Sequence, residues 1–150
     1  MKQFASVEDI LDFAIKNEQN AVDFYTKYSE LVKGEMQNVF REFALEEIKH
    51  KARLMQIKEE KMFIFSPEKI NELNISDYTT TANFTYDLTY QDTLVLAMQK
   101  EKAAFKLYIT LSQKTNVPFL KEVFLSLAQE ESKHKLRFEL EYDQYILKEN

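Results

Sequence analysis

The sequence contains no cysteine, one glycine and two prolines. Without cysteine the chain can form no disulfide, no thiolate zinc site and no iron–sulfur cluster, and it has no cysteine nucleophile. This absence fits a reducing compartment, and we expect a cytoplasmic protein. The scarcity of glycine and proline argues against β-sandwiches and barrels rich in tight turns, and against glycine-rich phosphate or dinucleotide loops.

An excess of positive charge and long apolar runs are also missing. The 20 basic and 25 acidic residues give a net charge of −5, so we expect no binding to nucleic acid and none to a membrane surface. The longest apolar runs, such as 94–98, are far shorter than the roughly 20 residues of a membrane span. The N-terminal residues show no signal-peptide core. A chain of 150 residues, 45% of them hydrophobic, predicts one globular domain over 1–150.

Helix-favouring sequence fills most of the chain. Four long helices are predicted over residues 7–33, 36–61, 91–114 and 119–147. The intervening segment, about 62–90, is richer in threonine, asparagine and aspartate, which is typical of a connection. Because four long helices account for most of the chain, we predict an all-α protein.

A few residues punctuate these helices. Ser6 is a candidate cap for the first helix, and Gly34 is placed to end that helix in a left-handed conformation. Asn116 is a candidate cap for the last helix, with Pro118 in its first turn. A short helix is a further option over 67–73.

The lengths of the connections predict the topology. Short turns near Gly34 and Asn116 would produce two antiparallel helical hairpins. The connection over about 62–90 is long enough to return along a helix, as in bundles that contain a long crossover. We therefore predict an antiparallel four-helix bundle of two hairpins joined by a long crossover.

The two predicted hairpins repeat each other in sequence. A shift of 84 residues places Glu46, Glu47, Lys49, His50 and Arg53 on Glu130, Glu131, Lys133, His134 and Arg137, and a shift of 83 places Glu18 and Tyr25 on Glu101 and Tyr108. Such a repeat predicts a bundle with pseudo-twofold symmetry.

Charged residues interrupt the apolar stripe of every helix near its middle. The interrupting residues are Glu18, Glu47, His50, Glu101, Glu131 and His134. Because they share the phase of the apolar positions, we expect them to face the interior at one level. Four buried carboxylates are costly unless they are protonated or neutralised by cations. Two metal ions would neutralise them and use the imidazoles as ligands; a metal-free hydrogen-bond network and a solvated surface are the alternatives.

Both histidines of the chain follow a glutamate by three residues, so each pair shares one helix face. With Glu18 and Glu101 on the other two helices, this set resembles the ferritin-like superfamily and, within it, the rubrerythrin-like proteins. The resemblance implies a ferritin-like fold with a di-iron centre. It places Glu47 and Glu131 between the two irons, Glu18 with His50 on one iron, and Glu101 with His134 on the other. Manganese or zinc are substitutes that such donors accept.

The same resemblance implies an oxidoreductase that reduces hydrogen peroxide or O₂ while Fe(II) is oxidised, as a peroxidase or ferroxidase. Electrons would come from an external donor, because a cysteine-bound rubredoxin domain is missing. We expect a homodimer or larger homo-oligomer. Ala104 stands where rubrerythrins carry an additional glutamate, three residues after Glu101. An iron-binding or iron-storage protein without catalysis is the alternative.

Neighbouring residues give weaker expectations. Tyr25 and Tyr108 lie two turns after a predicted ligand, as core tyrosines or as hydrogen-bond partners of the ligand carboxylates. Glu46 and Glu130 stand one residue off the stripe, and we expect them on solvated helix faces.

Overall fold

The computed structural model of the chain describes residues 4–61, 73–79 and 88–149. They form four α-helices and one short 3₁₀ helix: α1 (Val7–Leu31), α2 (Glu35–Glu59), η1 (Ile75–Tyr78), α3 (Tyr90–Lys114) and α4 (Pro118–Glu149). None of the elements in these ranges is a β-strand, as the predicted all-α class requires. The short helix considered over 67–73 lies, apart from Leu73, outside the described residues, and Leu73 itself is not helical.

Helices α1 and α2 pack together within one compact unit of the chain. Three hydrogen bonds join them in opposite chain order: Gln37 to the carbonyl oxygen of Ser29 at 2.9 Å, Lys51 to Gln19 at 2.7 Å, and Lys58 to Asp12. The bonds start beside the turn and end at the far end of the pair. This order confirms the predicted antiparallel hairpin.

The start of α1 follows its sequence signal. The Ser6 side chain accepts a hydrogen bond from the backbone N–H of Asp9 at 3.1 Å. Such a cap satisfies one of the free N–H groups of the first turn. Ser6 is therefore the N-cap, as predicted.

The role predicted for Gly34 was wrong, although its backbone is unusual as expected. Helix α1 already ends at Leu31, because Val32 turns to extended backbone while its N–H bonds to the carbonyl of Tyr28. Gly34 instead directly precedes α2 as its N-cap, with φ 84° and ψ −150°. Only glycine adopts this region readily, so the residue serves to start the second helix rather than to end the first.

Helices α3 and α4 pack together in the second compact unit, where η1 lies against α3. The Tyr78 hydroxyl of η1 donates to Oγ1 of Thr110 at 3.2 Å. At the far end from the α3–α4 turn, the Tyr90 hydroxyl donates to Oε1 of Glu141 at 2.9 Å, and Gln91 donates to the Tyr142 hydroxyl at 3.3 Å. These contacts make α3 and α4 a second antiparallel hairpin.

Local signals also delimit these two helices. Thr89 and Asp92 form a reciprocal capping box at the start of α3, which satisfies two backbone donors at once. Helix α4 begins at Pro118, where the missing N–H of proline costs nothing. The role of Asn116 as a cap stays a prediction.

Each hairpin buries the apolar stripe that its sequence predicts. In the first hairpin the residues with almost no exposure include Ile10, Leu11, Tyr25, Phe40, Leu54 and Ile57, and in the second Leu94, Leu107, Tyr108, Leu111, Phe124 and Phe138. Burying one such side chain contributes about 1.5–3 kcal/mol. These contacts set the phase of each helix and thereby fix which residues face inward.

Candidate metal centre

The first hairpin brings together Glu18 of α1 with Glu47 and His50 of α2, which we call the first trio. Nδ1 of His50 lies 3.3 Å from Oε1 of Glu47 and 3.8 Å from Oε2 of Glu18. One donor atom from each of the three residues lies within 4.8 Å of the other two. The distances are short enough for the three side chains to address a common ion.

The second hairpin repeats this arrangement with Glu101 of α3 and Glu131 and His134 of α4, the second trio. Nδ1 of His134 lies 3.4 Å from Oε1 of Glu101. Again one donor atom from each residue lies within 4.8 Å of the other two. The internal repeat of the sequence is therefore also a repeat of donor geometry.

The helices position these donors through their apolar stripes. Glu18 lies between Ala14 and Ala21, one turn away on either side, and all three residues are buried. Because helix positions three and four apart share a face, packing of that face carries the carboxylate inward. Small neighbours on the same face limit the crowding around it.

All six members of the two trios are buried, with exposed fractions of 1–3%. The alternative that these residues form a solvated surface is therefore wrong. The adjacent off-stripe glutamates behave differently, since Glu130 is exposed and Glu46 is partly exposed. One position along a helix thus separates a buried carboxylate from a solvated one.

The donor chemistry of each trio fits a transition metal. Each supplies two carboxylates and one imidazole, a combination that suits iron and manganese and that also accepts zinc. Ionised carboxylates are strongly disfavoured in the interior without a compensating charge. If all four are ionised, two divalent cations balance them. That the two trios together form one metal centre stays a prediction.

One charged neighbour was not singled out from the sequence. Lys100 precedes Glu101 and is partly buried. Burial lowers the pKa of the Lys100 ammonium, while the Glu101 carboxylate opposes that shift. The equivalent position in the first hairpin is Asn17. The two halves therefore differ in charge directly beside a candidate ligand.

The two tyrosines predicted near the ligands are both in the interior. Tyr25 is 0% exposed and Tyr108 is 1% exposed. The Tyr25 ring centroid lies 5.9 Å from that of Phe40 and 6.2 Å from that of Phe43. Their burial is confirmed, while hydrogen bonds from their hydroxyls to the ligand carboxylates stay a prediction.

The sequence matches the family described as Rubrerythrin over residues 9–89 and 92–150. The chain belongs to the rubrerythrin family. This match covers nearly the whole chain and both trios, so the resemblance inferred from the Glu-x-x-His repeats is confirmed. No curated protein matches the sequence.

A solved structure shares the fold of this rubrerythrin-family chain. The crystal structure of a candidate ferritin-like diiron-carboxylate protein from Thermotoga maritima is similar to it, with a TM-score of 0.79 and 20% sequence identity. The alignment covers 97% of this chain and 99% of the other. At that identity the likeness shows the fold, which is the predicted ferritin-like four-helix bundle.

Within residues 4–61, 73–79 and 88–149, no helix combines the length and the apolar character needed to cross a membrane.

Proposed function

We propose that this rubrerythrin-family chain is a di-iron oxidoreductase that reduces hydrogen peroxide or O₂ while oxidising Fe(II). The observation that carries the proposal is the occurrence, in both hairpins, of two carboxylates and one imidazole buried within 4.8 Å of one another. Six buried donors of this kind have few uses other than holding cations. Membership of the rubrerythrin family supports a di-iron type of centre, and the two trios provide its candidate ligands.

The proposal assigns one iron to each trio. In the proposal Glu18 and His50 would hold the first ion and Glu101 and His134 the second, with Glu47 and Glu131 as the further carboxylate ligands that the family resemblance implies. Equal composition of the trios supports equal occupancy. Charge supports the same count, because two Fe(II) ions neutralise four carboxylates without leaving net charge in the interior.

When bound, two Fe(II) ions can together supply the two electrons that turn one H₂O₂ and two protons into two water molecules. The protein's part is to fix the donors and to keep bulk water away. Rigid helices and packed stripes hold the donors, and exposed fractions of 1–3% keep them dry. Such preorganisation is what a metal site requires of its protein.

In the proposal Nδ1 would be the coordinating nitrogen of each imidazole. In both trios it is Nδ1 that lies 3.3–3.8 Å from glutamate oxygens. A neutral imidazole that offers Nδ1 to a cation carries its proton on Nε2. His50 and His134 would then leave Nε2 free to be oriented by an outer partner when an ion is bound.

In the proposal Tyr25 and Tyr108 are outer partners of the ligand glutamates, not of the imidazoles. Helical side chains lean toward the N-terminus of their helix, so both phenols lean toward the glutamate two turns earlier, Glu18 or Glu101. A phenol that donates to a carboxylate fixes its orientation and tunes its basicity.

The chain's lack of cysteine leaves the supply of electrons to an external donor.

The test is anaerobic loading with Fe(II), a count of iron per chain, and stopped-flow oxidation by H₂O₂ and, separately, by O₂. We expect two irons per chain and two Fe(II) oxidised per H₂O₂. Glu47→Gln combined with Glu131→Gln should slow oxidation on the order of 100-fold, the scale that even an outer partner of a ligand can reach. The matched control, Glu46→Gln combined with Glu130→Gln, changes the adjacent solvated glutamates and should oxidise at the wild-type rate.

Three results would contradict the proposal. A wild-type rate in the ligand variant would remove these residues from the reaction. Purified protein that binds manganese or zinc but does not retain iron would exclude a di-iron enzyme. Uptake of many irons per chain under air, with slow turnover of peroxide, would favour storage.

A further inference from the structure

The far end of the second hairpin carries a polar pair where the first hairpin is apolar. The Tyr90 hydroxyl of α3 donates a hydrogen bond of 2.9 Å to Oε1 of Glu141 on α4. The shifts of 83 and 84 residues that relate the two hairpins place Val7 on Tyr90 and Ile57 on Glu141. Val7 and Ile57 are buried apolar residues. Apolar packing therefore suffices at this position of a hairpin, and the phenol–carboxylate pair is a property of the second hairpin.

Stability gives no reason for this exchange of apolar residues for polar ones. Desolvation of a carboxylate costs free energy, and apolar residues of similar shape can replace a hydrogen-bonded pair with little loss. The Glu141 side chain is 19% exposed, and Nη1 of Arg137 lies 3.8 Å from its other oxygen, Oε2. Arg137 corresponds to Arg53 in the first hairpin, so the arginine is common to both hairpins. The phenol and its acceptor are not, and they are candidates for a chemical role.

A phenol that donates to a carboxylate is prepared for one-electron oxidation coupled to proton transfer. Loss of an electron makes a phenol strongly acidic, so its proton needs an acceptor within hydrogen-bond distance. Oε1 of Glu141 provides that acceptor. Burial and then Glu141 raise the pKa of the Tyr90 phenol above its ordinary 10.0. The hydroxyl is therefore protonated at neutral pH and lies beside its acceptor, as such an oxidation requires.

The pair is built on the same two helices as the second trio. Glu141 follows His134 by seven residues, which places it two turns and about 10 Å further along α4. Phe138, which is 0% exposed, lies between them on the same helix. On the other side, the Tyr145 ring packs edge-on against Tyr90 with the ring centroids 5.1 Å apart, and both tyrosines are partly exposed. The phenol thus lies two turns from a candidate ligand and remains in contact with solvent.

The reduction of one H₂O₂ and two protons to two water molecules needs two electrons, and a single Fe(II) supplies only one of them. A chain that holds iron in the second trio alone therefore lacks one electron. We infer that Tyr90 supplies this missing electron, with Glu141 as the acceptor of its proton. The inference rests on the proposed function, because it concerns iron and peroxide at the same donors.

The step balances in electrons and protons. The O–O bond of the peroxide breaks as it receives one electron from Fe(II) and one from the Tyr90 phenol, and solvent supplies the protons of the water formed. The phenol O–H bond breaks, its proton moves to Oε1 of Glu141, and a neutral tyrosyl radical remains. An external one-electron donor then reduces the radical, and Glu141 returns the proton. Peroxide is thus reduced to water without release of hydroxyl radical, and both side chains are restored.

The first test confines iron to the second trio by His50→Ala, with the iron count checked by elemental analysis. After mixing with H₂O₂ and rapid freezing, electron paramagnetic resonance should show a neutral tyrosyl radical. Tyr90→Phe in the same background should remove most of this signal and raise the yield of hydroxyl radical caught by a spin trap. Tyr142→Phe is the matched control, because the Tyr142 hydroxyl accepts from Gln91 at 3.3 Å, and it should keep the signal. A full signal in Tyr90→Phe would overturn the inference.

Glu141→Gln separates proton transfer from packing. The amide oxygen can still accept the hydrogen bond from Tyr90, but it is too weak a base to take the proton. Radical formation should slow on the order of 100-fold, whereas circular dichroism should be unchanged. Glu139→Gln is the matched control, since Glu139 lies on the same helix and pairs with Lys135 at 2.7 Å. Equal rates of radical formation in Glu141→Gln and Glu139→Gln would remove Glu141 from the step and overturn the inference.

The fully loaded chain distinguishes this inference from the proposed function. When both trios hold Fe(II), iron supplies both electrons, so Tyr90→Phe should oxidise at the wild-type rate and little radical should form. A fully loaded wild-type chain that H₂O₂ does not oxidise would contradict the proposed function. Normal oxidation of that chain, together with an unchanged radical when Tyr90→Phe holds iron in the second trio alone, would overturn only the inference about Tyr90.

The metal-free chain tests the redox pair without iron. Photogenerated ruthenium(III) tris(bipyridine) should oxidise the wild-type chain to the same tyrosyl radical, and Tyr90→Phe should form much less of it. Tyr142→Phe should again behave as the wild-type chain. Equal radical yields in the wild-type and Tyr90→Phe chains would overturn the inference, whatever the iron-loaded protein does.

Discussion

Nδ1 of His134 lies 3.4 Å from Oε1 of Glu101, although the two residues belong to different helices. The contact shows that the second hairpin aligns its donors across the α3–α4 packing, and not only along one helix. The first hairpin does the same with His50 and Glu18, at 3.8 Å. Because the two sets of donors are equivalent, removal of one donor from either set should cause the same loss of bound metal.

Replacement of either histidine should therefore remove one metal ion. His50→Ala and His134→Ala are each expected to bind about half the iron of the wild-type chain, because each trio contains a single imidazole. Elemental analysis after anaerobic loading measures this, with Glu130→Gln as the control that retains full occupancy. Loss of all iron in one variant and none in the other would show that the trios are not equivalent.

Removal of metal should lower the stability of the protein, because the buried carboxylates then repel one another. Oxygens of Glu101 and Glu131 lie within 4.8 Å of each other, and both side chains are 1% exposed. Glu131→Gln should therefore stabilise the metal-free protein by about 1–2 kcal/mol, because it removes a buried like-charge contact. Urea unfolding in excess chelator measures the change, and Glu130→Gln should alter it by less than about 0.5 kcal/mol. A less stable metal-free Glu131→Gln would contradict this account.

Alkaline pH should weaken the far end of the second hairpin. Burial, then the hydrogen bond to Glu141 and its charge, raise the pKa of the Tyr90 phenol above its ordinary 10.0, with Arg137 opposing. The folded chain thus keeps a proton that the unfolded chain loses. This stability is complete below about pH 10 and is lost as pH rises toward the shifted value.

Urea unfolding between about pH 9 and 11 tests that direction. Tyr90→Phe should lose less stability over this range than the wild-type chain. Tyr142→Phe is the control, because the Tyr142 hydroxyl accepts a hydrogen bond from Gln91 and is not placed as a donor to Glu141. Equal pH slopes for wild type and Tyr90→Phe would exclude Tyr90 as the source.

The turn between α1 and α2 should depend on its glycine. Gly34→Ala is expected to cost about 1–3 kcal/mol, since φ 84° and ψ −150° are disfavoured by any side chain. Apart from its two chain neighbours, a β-carbon at this position would meet nothing within 4 Å, so the cost would come from the local backbone alone. Urea unfolding measures it against Lys33→Ala, and a cost below about 0.5 kcal/mol would show that the turn relaxes.

Periodicity was enough to predict the helices and the candidate ligands. Glu18, Glu47 and His50 share the helical phase of the apolar residues around them. Burial of those apolar residues therefore also buries the donors. The end of α4 was predicted at Leu147 and lies at Glu149. Boundaries shift by a residue or two because caps compete locally.

Other features depend on partners that no pattern within one helix can supply. Gly34 precedes α2 and does not end α1, because Val32 already ends α1. The sequence pattern does not show which of these two nearby residues ends the helix. The bond from Tyr90 to Glu141 joins residues 51 positions apart.

Each trio is gathered by two helices that follow each other directly in the chain, and this has a consequence for biosynthesis. Contacts between neighbouring segments form quickly, since little loop entropy is lost in closing them. Every donor of the first trio is translated at least 51 residues before Glu101. The nascent polypeptide can therefore arrange half of its ligands early, and the order of translation becomes an order of assembly.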